Sequence, residues 1–391
     1  MKPLLFSPSE SLCASRRDIL RLAGAGSAGL ATLAATGCTG EAAPKAEAQT
    51  AATAASSIAI LSSNENPFGP FPKAMEAMKA EVAGVNRYSY GSLIGFGEKV
   101  AELEGVAPEE VLVTNGSSPI LGLFGMWAAK QEGALLTSMA TYEAVPRTTE
   151  HFGGEVIYTP LDSEMGIDLD AMAERMGPDI SSVYICNPNN PTGRTVDAAK
   201  LKSFAEEASK TAMVFIDEAY LEMSDDYPNN TMKSLVSDGK NVIVCRTFSK
   251  LYGLAGQRLG YAVMPAEMVT WMRQSGQLSS VNHLGLIAGT ASLEDSAGFD
   301  EMRAKNIRGR EKLIAMAADL GRPIAPKPQG SFIYMDTGMD HAVFAEEMAK
   351  LNVRVVGRTW PGYDSWTRLC VGFDREIEAC HEAARVVLSK A

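Results

Sequence analysis

The chain has 391 residues, 46% of them hydrophobic, and 47 acidic against 36 basic residues leave a net charge of −11. That length and apolar content support one large core or two domains sharing an interface, and the acidic balance opposes phosphate backbones and excludes the electrostatic footprint of a nucleic-acid binder. The six cysteines (13, 38, 186, 245, 370, 380) form no Cys-x-x-Cys pair and the four histidines are scattered, so neither a metal site nor a disulfide framework is indicated; the last four cysteines read as buried free thiols.

The N-terminus stands apart. SRRDILR, Ser15 to Arg21, precedes a mild Ala/Gly/Leu run that reaches Gly37 and then Cys38. The run is shorter than the ~20 apolar residues of a spanning helix, so no transmembrane span is expected. It resembles a twin-arginine export signal, with Ile19 and Arg21 where Phe and Lys are more usual, which implies an exported, periplasmic protein. Ala35-Thr36-Gly37-Cys38 permits a lipid anchor at Cys38, and Ala46-Glu47-Ala48 offers a small-x-small cleavage site, so lipid-anchored and soluble periplasmic forms both stay open. Residues 1–38 are read as signal and 39–57, which lack apolar periodicity, as a flexible linker.

From about residue 111, short apolar runs alternate with amphipathic stretches. Val111–Val113, Ala134–Leu136, Val156–Tyr158, Val183–Cys186, Met213–Ile216 and Val242–Cys245 are strand-like, with helical patterns between several of them. This rhythm predicts an α/β fold with a mostly parallel central sheet covered by helices. Further on, Phe332–Tyr334, Val353–Val356 and Leu369–Val371 read as strands, and 341–350 and 374–389 as helices.

Ligands in such sheets sit beyond the carboxyl ends of the strands, so the residues after each strand carry the argument. The first strand is followed by TNGSSPI, in which Gly116 permits a tight turn, Ser117 and Ser118 present hydroxyls and amides, and Pro119 suits a helix start. NPNNPTG follows Cys186 and holds Asn190 in a stiff turn. Asp217 ends the next strand, where an unpaired carboxylate is costly to bury, with Glu218, Ala219 and Tyr220 after it. Ser249, Lys250 and Arg258 lie in RTFSKLYGLAGQRLGY, a loop and short helix between strands. Taken alone, Lys250 is an ordinary loop lysine, the serine turn an ordinary helix cap and Asn190 an ordinary turn residue. Together they are an anion cradle, a carboxylate wanting a cation, and an amine. Pyridoxal phosphate uses all three: phosphate donors, an acid for its ring nitrogen and a Schiff-base lysine.

SSNENPFGP, NRYSYG, TNGSSPI, TYEAV, NPNNPTG, DEAY, RTFSKLYGLAGQRLGY and WTRLCVG resemble the fold-type-I pyridoxal-phosphate aminotransferases, nearest the histidinol-phosphate aminotransferase branch, over residues 58 to 388. The resemblance implies that Lys250 forms the Schiff base, that Asp217 pairs with the ring nitrogen, and that Asn190 and Tyr220 bond the ring 3-oxygen. It also implies that Tyr142 stacks on the ring, although the residue alone could equally be a core aromatic. Gly116, Ser117, Ser118, Ser249 and Arg258 would hold the phosphate, joined by Tyr88 from a second subunit of a homodimer. Arg368 would take the substrate carboxylate as a bidentate fork, with Asn66 also at the substrate. No metal is implied, and the small-molecule partners are an amino acid and a 2-oxo acid.

Expected, then, are an N-terminal arm (58–85), a large cofactor domain (86–275) and a smaller C-terminal domain (276–391). The activity implied is amino transfer. An amino-acid decarboxylase on the same scaffold and an exported non-catalytic binding protein are the alternatives. Where the branch commonly has an arginine for a substrate phosphate, this chain has Val356, with Arg358 two positions on. Trp360, Tyr363 and Trp366 follow, either lining the cleft or packing outward in support of it.

Overall fold

The structure is a computed structural model and describes residues 58–391 except 277, 279, 358, 359 and 391. The signal, Cys38, the linker and Arg358 therefore lie outside the described residues. β1 (Ala59–Ile60) opens the arm. The central strands follow as β2 (Val111–Thr114), β3 (Ala134–Ser138), β4 (Val156–Thr159), β5 (Ile180–Cys186), β6 (Met213–Asp217), β7 (Val242–Thr247) and β8 (Gly260–Val263). They form one seven-stranded sheet in the order β2-β8-β7-β6-β5-β3-β4. β8 runs antiparallel to both neighbours and the remaining pairs are parallel. The six apolar runs expected to be strands of this sheet are strands. Their continuous rather than alternating hydrophobicity follows from apolar cores on both faces of the sheet.

Three further strands, β9 (Phe332–Asp336), β10 (Val353–Arg354) and β11 (Trp366–Cys370), belong to a separate core. There the helices Ser296–Asp319, His341–Lys350 and Asp374–Leu388 bury Leu313, Phe344, Met348, Ile377 and Cys380 around the antiparallel pair β9 and β11. β1 pairs in parallel with β10, so the arm is stitched into this C-terminal core. Only Val353 and Arg354 of the expected Val353–Val356 run are strand, because β1 offers just two residues to pair with. Cys186, Cys245, Cys370 and Cys380 are all free and buried.

The ends of β6 and β7 are held together by buried charge. Arg246 Nη2 sits 2.9 Å from Glu218 Oε2 and Nη1 sits 3.7 Å from Glu104 Oε1, all within the core. Glu218 also accepts from the Met232 amide at 2.7 Å and from the Thr231 hydroxyl at 2.9 Å. A buried ion pair needs its remaining hydrogen-bond positions filled to repay desolvation; these contacts do that for Glu218, while Arg246 Nε and Glu104 Oε2 are left without a hydrogen-bond partner among the described residues. The consequence is positional: Glu218 follows Asp217 and Arg246 precedes Lys250 on the neighbouring strand, so one ion pair sets the spacing of both.

Candidate active site

At the carboxyl ends of β2, β5, β6 and β7 lies a cavity of about 630 Å³, lined among others by Ser117, Ser118, Tyr142, Asn190, Asp217, Tyr220, Ser249, Lys250, Arg258 and Arg368. Residues far apart in sequence meet here because parallel strands end on one edge of the sheet.

At one end is Asp217, buried. The Ala219 amide donates to its Oδ1 at 3.1 Å and the Tyr184 hydroxyl to its Oδ2 at 3.2 Å. Among the described residues it has no ion-pair partner, and burial pushes its carboxyl up to about 6. It is a buried acid poised for a cation. Lys250 Nζ donates to the Ser63 carbonyl at 3.2 Å. Enclosure first, and the Arg368 charge second, bring its ammonium down to about 8.

The anion cradle lies beyond the lysine. Arg258 has a left-handed backbone (φ 54°), and its Nη1 donates to Ser249 Oγ at 3.1 Å and to the Ala255 carbonyl at 2.9 Å. Gly116 sits at φ 78°, and a Cβ there would run into the Arg258 guanidinium. The backbone angle favours glycine, and a side chain there would push the guanidinium aside. Ser117 and Ser118 stand at the N-terminus of the helix Ser118–Ala128, which carries Pro119 in its first turn.

Opposite, Arg368 Nη1 donates to Asn190 Oδ1 at 2.6 Å and Nη2 to the Ser62 carbonyl at 2.8 Å, while its buried Nε has no partner. The Tyr220 hydroxyl accepts from Asn64 Nδ2 at 2.9 Å and from Asn190 Nδ2 at 3.5 Å. Burial raises the Tyr220 phenol, the Arg368 charge opposing it, so the hydroxyl keeps its proton.

Three expected residues do not line this cavity: Gly116, which backs the Arg258 guanidinium, Asn66 and Tyr88. Asn66 is buried outside it, its amide donating to the Leu251 carbonyl at 2.7 Å and its oxygen accepting from the Phe68 amide at 3.1 Å. It pins the arm to the loop after Lys250, and the arm asparagine in the cavity is Asn64, with a left-handed backbone (φ 52°), which lines it together with Ser62, Ser63 and Glu65. Both asparagines belong to NEN, and nothing local separates them. Tyr88 is 83% exposed, stacked on Tyr90 at 5.7 Å, away from the cavity of its own chain. The aromatic tract packs inward as support: Trp360 and Tyr334 are buried together, with Tyr363 and Trp366 against them. Trp360 Nε1 donates to the Thr141 carbonyl at 2.6 Å, so none of the three aromatics lines the cavity. Tyr184, Ser62, Ser63, Asn64 and Arg354 are site residues that strand-end reading passed over; Tyr184 lies inside a strand and the others on segments distant in sequence.

The donor set fits pyridoxal phosphate: a buried carboxylate without a cation, an amine with lowered basicity, a cradle in which a side chain at Gly116 would displace the arginine, and an orphaned guanidinium nitrogen. Among the described residues no group of His, Cys, Asp and Glu could hold a metal ion. Fold and site together define a pyridoxal-phosphate-dependent α/β enzyme.

Residues 56–386 match the family model "Aminotransferase class I and II". Histidinol-phosphate aminotransferase 1 of Dechloromonas aromatica is 34% identical over 311 residues, covering 78% of this chain and 84% of that protein. The aromatic amino acid aminotransferase of Corynebacterium jeikeium is 34% identical over 262 residues, 65% of this chain and 69% of that protein. A crystal structure of histidinol-phosphate aminotransferase from Sinorhizobium meliloti in complex with pyridoxal-5'-phosphate superposes with a TM-score of 0.77 at 25% identity, covering 85% of this chain and 91% of that one. The chain belongs to the class I and II aminotransferases, and its activity is pyridoxal-phosphate-dependent amino transfer.

The buried acids make stability depend on pH. Unfolded, Asp217 titrates near 3.8 and folded near 6; Glu222, also buried, moves from 4.5 to about 7. Between those values the folded state holds the extra protons, so each acid lowers stability as pH rises through its window, by up to roughly 1.4 kcal/mol per pH unit. The cofactor-free protein should therefore melt higher near pH 5 than near pH 8. Asp217→Asn and Glu222→Gln should each flatten the slope, and an unaltered slope in the double variant would refute the assignment.

Proposed function

We propose that the enzyme exchanges the amino group of an α-amino acid with a 2-oxo acid, with Lys250 as its anchoring and proton-transferring amine. The observation that carries this is the meeting of Lys250, Asp217, Arg258 and Arg368 in one cavity. Bound pyridoxal phosphate supplies an electrophilic carbon and a ring that accepts the electron pair released when the substrate C–H bond breaks. Ser117, Ser118, Ser249 and Arg258 hold the phosphate, and Tyr142 covers the ring. Asp217 keeps the ring nitrogen protonated, and Tyr220 and Asn190 hydrogen-bond the ring oxygen. Lys250 ties the cofactor to the chain. Freed of the cofactor, its Nζ would take the α-proton as general base and, as acid, deliver it to the cofactor's electrophilic carbon instead of back to the substrate; a value near 8 leaves a useful neutral fraction close to neutral pH. Arg368 releases the Ser62 carbonyl to accept a carboxylate on both terminal nitrogens.

The residues 86–275 then form the cofactor domain and 276–391 the part that contributes Arg368. Tyr88 serves the site of a second copy in a homodimer. Lys250→Ala should remove turnover by roughly 10²- to 10³-fold or more, while the folded protein still takes up cofactor noncovalently. Normal transamination by that variant would exclude Lys250.

The substrate reading rests on Val356, which lines the cavity where the resemblance implies a phosphate-binding arginine. An amino acid lacking a phosphate fits this better. Histidinol phosphate is the second reading, favoured by Arg354, which lines the cavity and has no side-chain partner among the described residues. Comparing kcat/KM for histidinol phosphate with that for phenylalanine, tyrosine and other amino acids decides between them; the amino acids are expected to win.

The export reading rests on SRRDILR alone. It places the protein in the periplasm, soluble or lipid-anchored at Cys38. The twin-arginine resemblance implies passage of an already folded chain, which suits a cofactor loaded during cytoplasmic folding. Changing Arg16 and Arg17 to Lys should leave active enzyme in the cytoplasm, and undiminished delivery to the periplasm would overturn the reading.

A further inference from the structure

The only side-chain hydroxyl that reaches Asp217 among the described residues comes from the interior of a strand, not from a strand-end loop. Tyr184 on β5 pairs in register with Phe215 of β6 and with Thr137 of β3. Its side chain is fully buried, its ring lies 5.8 Å from that of Phe215, and its backbone carbonyl accepts from Thr137 Oγ1 at 2.8 Å. Ring and backbone are thus fixed, and the hydroxyl donates to Asp217 Oδ2 at 3.2 Å, with the Cys186 thiol also beside it. Phenylalanine would fill the same apolar space without a polar atom to satisfy. The oxygen therefore needs a reason beyond packing.

We propose that the Tyr184 hydroxyl is a positioning group for the reaction: it aims the Asp217 carboxylate and holds it ionised, so that the ring nitrogen of bound cofactor stays protonated. This rests on the assignment of Asp217 to that nitrogen. The groups facing Asp217 are Tyr184 and Cys186 from β5, Cys245 from β7, Glu218 beside it, and Tyr220 and Lys250 from the following loops, with Tyr142 interacting with Tyr184. Burial drives both thiols upward, so they remain neutral. Burial and the Asp217 charge drive the Tyr184 phenol well up, so it stays a donor. Against burial and Glu218, three groups favour the carboxylate: the Ala219 amide, the Tyr184 hydroxyl and the Lys250 charge. When Lys250 is tied to cofactor its charge is no longer a constant, and the hydroxyl is the side-chain donor that remains.

Tyr184→Phe removes that oxygen and keeps the ring. A hydrogen bond to a charged group is worth about 1.5–3 kcal/mol, so the acid limb of kcat and the pH-dependent absorbance change of bound cofactor should both move up by roughly one to two pH units. KM should hardly change. Cofactor-free protein titrated with pyridoxal phosphate near pH 6 should bind several-fold more weakly. Phe215→Leu loosens the same ring contact without touching the hydroxyl, and should lower Tm while leaving the acid limb in place. Identical profiles and affinities for Tyr184→Phe and unaltered enzyme would overturn the proposal, as would an equal shift in Phe215→Leu or failure of Tyr184→Phe to fold, since either makes the contribution one of packing. Asp217→Asn, measured alongside, separates the two levels: if it retains full turnover the underlying assignment fails, and if it is inactive while Tyr184→Phe is normal only the role of Tyr184 falls.

Discussion

A carboxylate buried at the end of the central strand is the constraint on which this structure turns. Burying Asp217 without a cation is unfavourable, yet the fold holds it with one amide and one phenol and supplies no ion-pair partner among the described residues. Proteins seldom leave such a group unpaired unless a ligand completes it. Everything around it serves placement: β6 lies in the middle of the sheet, and the Glu218–Arg246 pair ties its end to the strand that delivers Lys250.

The cations of the cavity are distributed, not clustered. Arg258 is bonded to Ser249, Arg368 to Asn190 and the Ser62 carbonyl, and Lys250 to the Ser63 carbonyl under the influence of the Arg368 charge. Spacing them lets one site take two anionic groups and still keep an amine whose proton is loosely held. The arm contributes by a different route. Its carbonyls at Ser62 and Ser63 accept from Arg368 and Lys250, so both groups are held ready by bonds that a substrate can replace without leaving a buried donor unpaired.

The legible part of the site was the part written next to strand ends. Asp217, Lys250, Asn190 and the Ser117–Ser118 turn follow apolar runs directly, and parallel topology then obliges them to converge. The choice between Asn64 and Asn66 was not legible, because both sit in one extended segment and only the bond of Asn66 to the Leu251 carbonyl removes it from the cavity. Nor was the direction of Trp360, which depends on the Thr141 carbonyl and on Tyr334, each far away in sequence.

The sequence by itself determined the alternation of buried strands and helices, the mostly parallel sheet and the identity of the chemistry at its edge, because these follow from local periodicity and from turns whose residues are adjacent in the chain. Only the tertiary structure decided that β1 pairs with β10, that Tyr184 reaches Asp217 across neighbouring strands, and that Arg368 is held between Asn190 and Ser62. Those contacts join segments separated by tens to hundreds of residues. No local propensity specifies such partners; they are chosen by burial, which brings polar groups together out of water and leaves each only the neighbours that packing supplies.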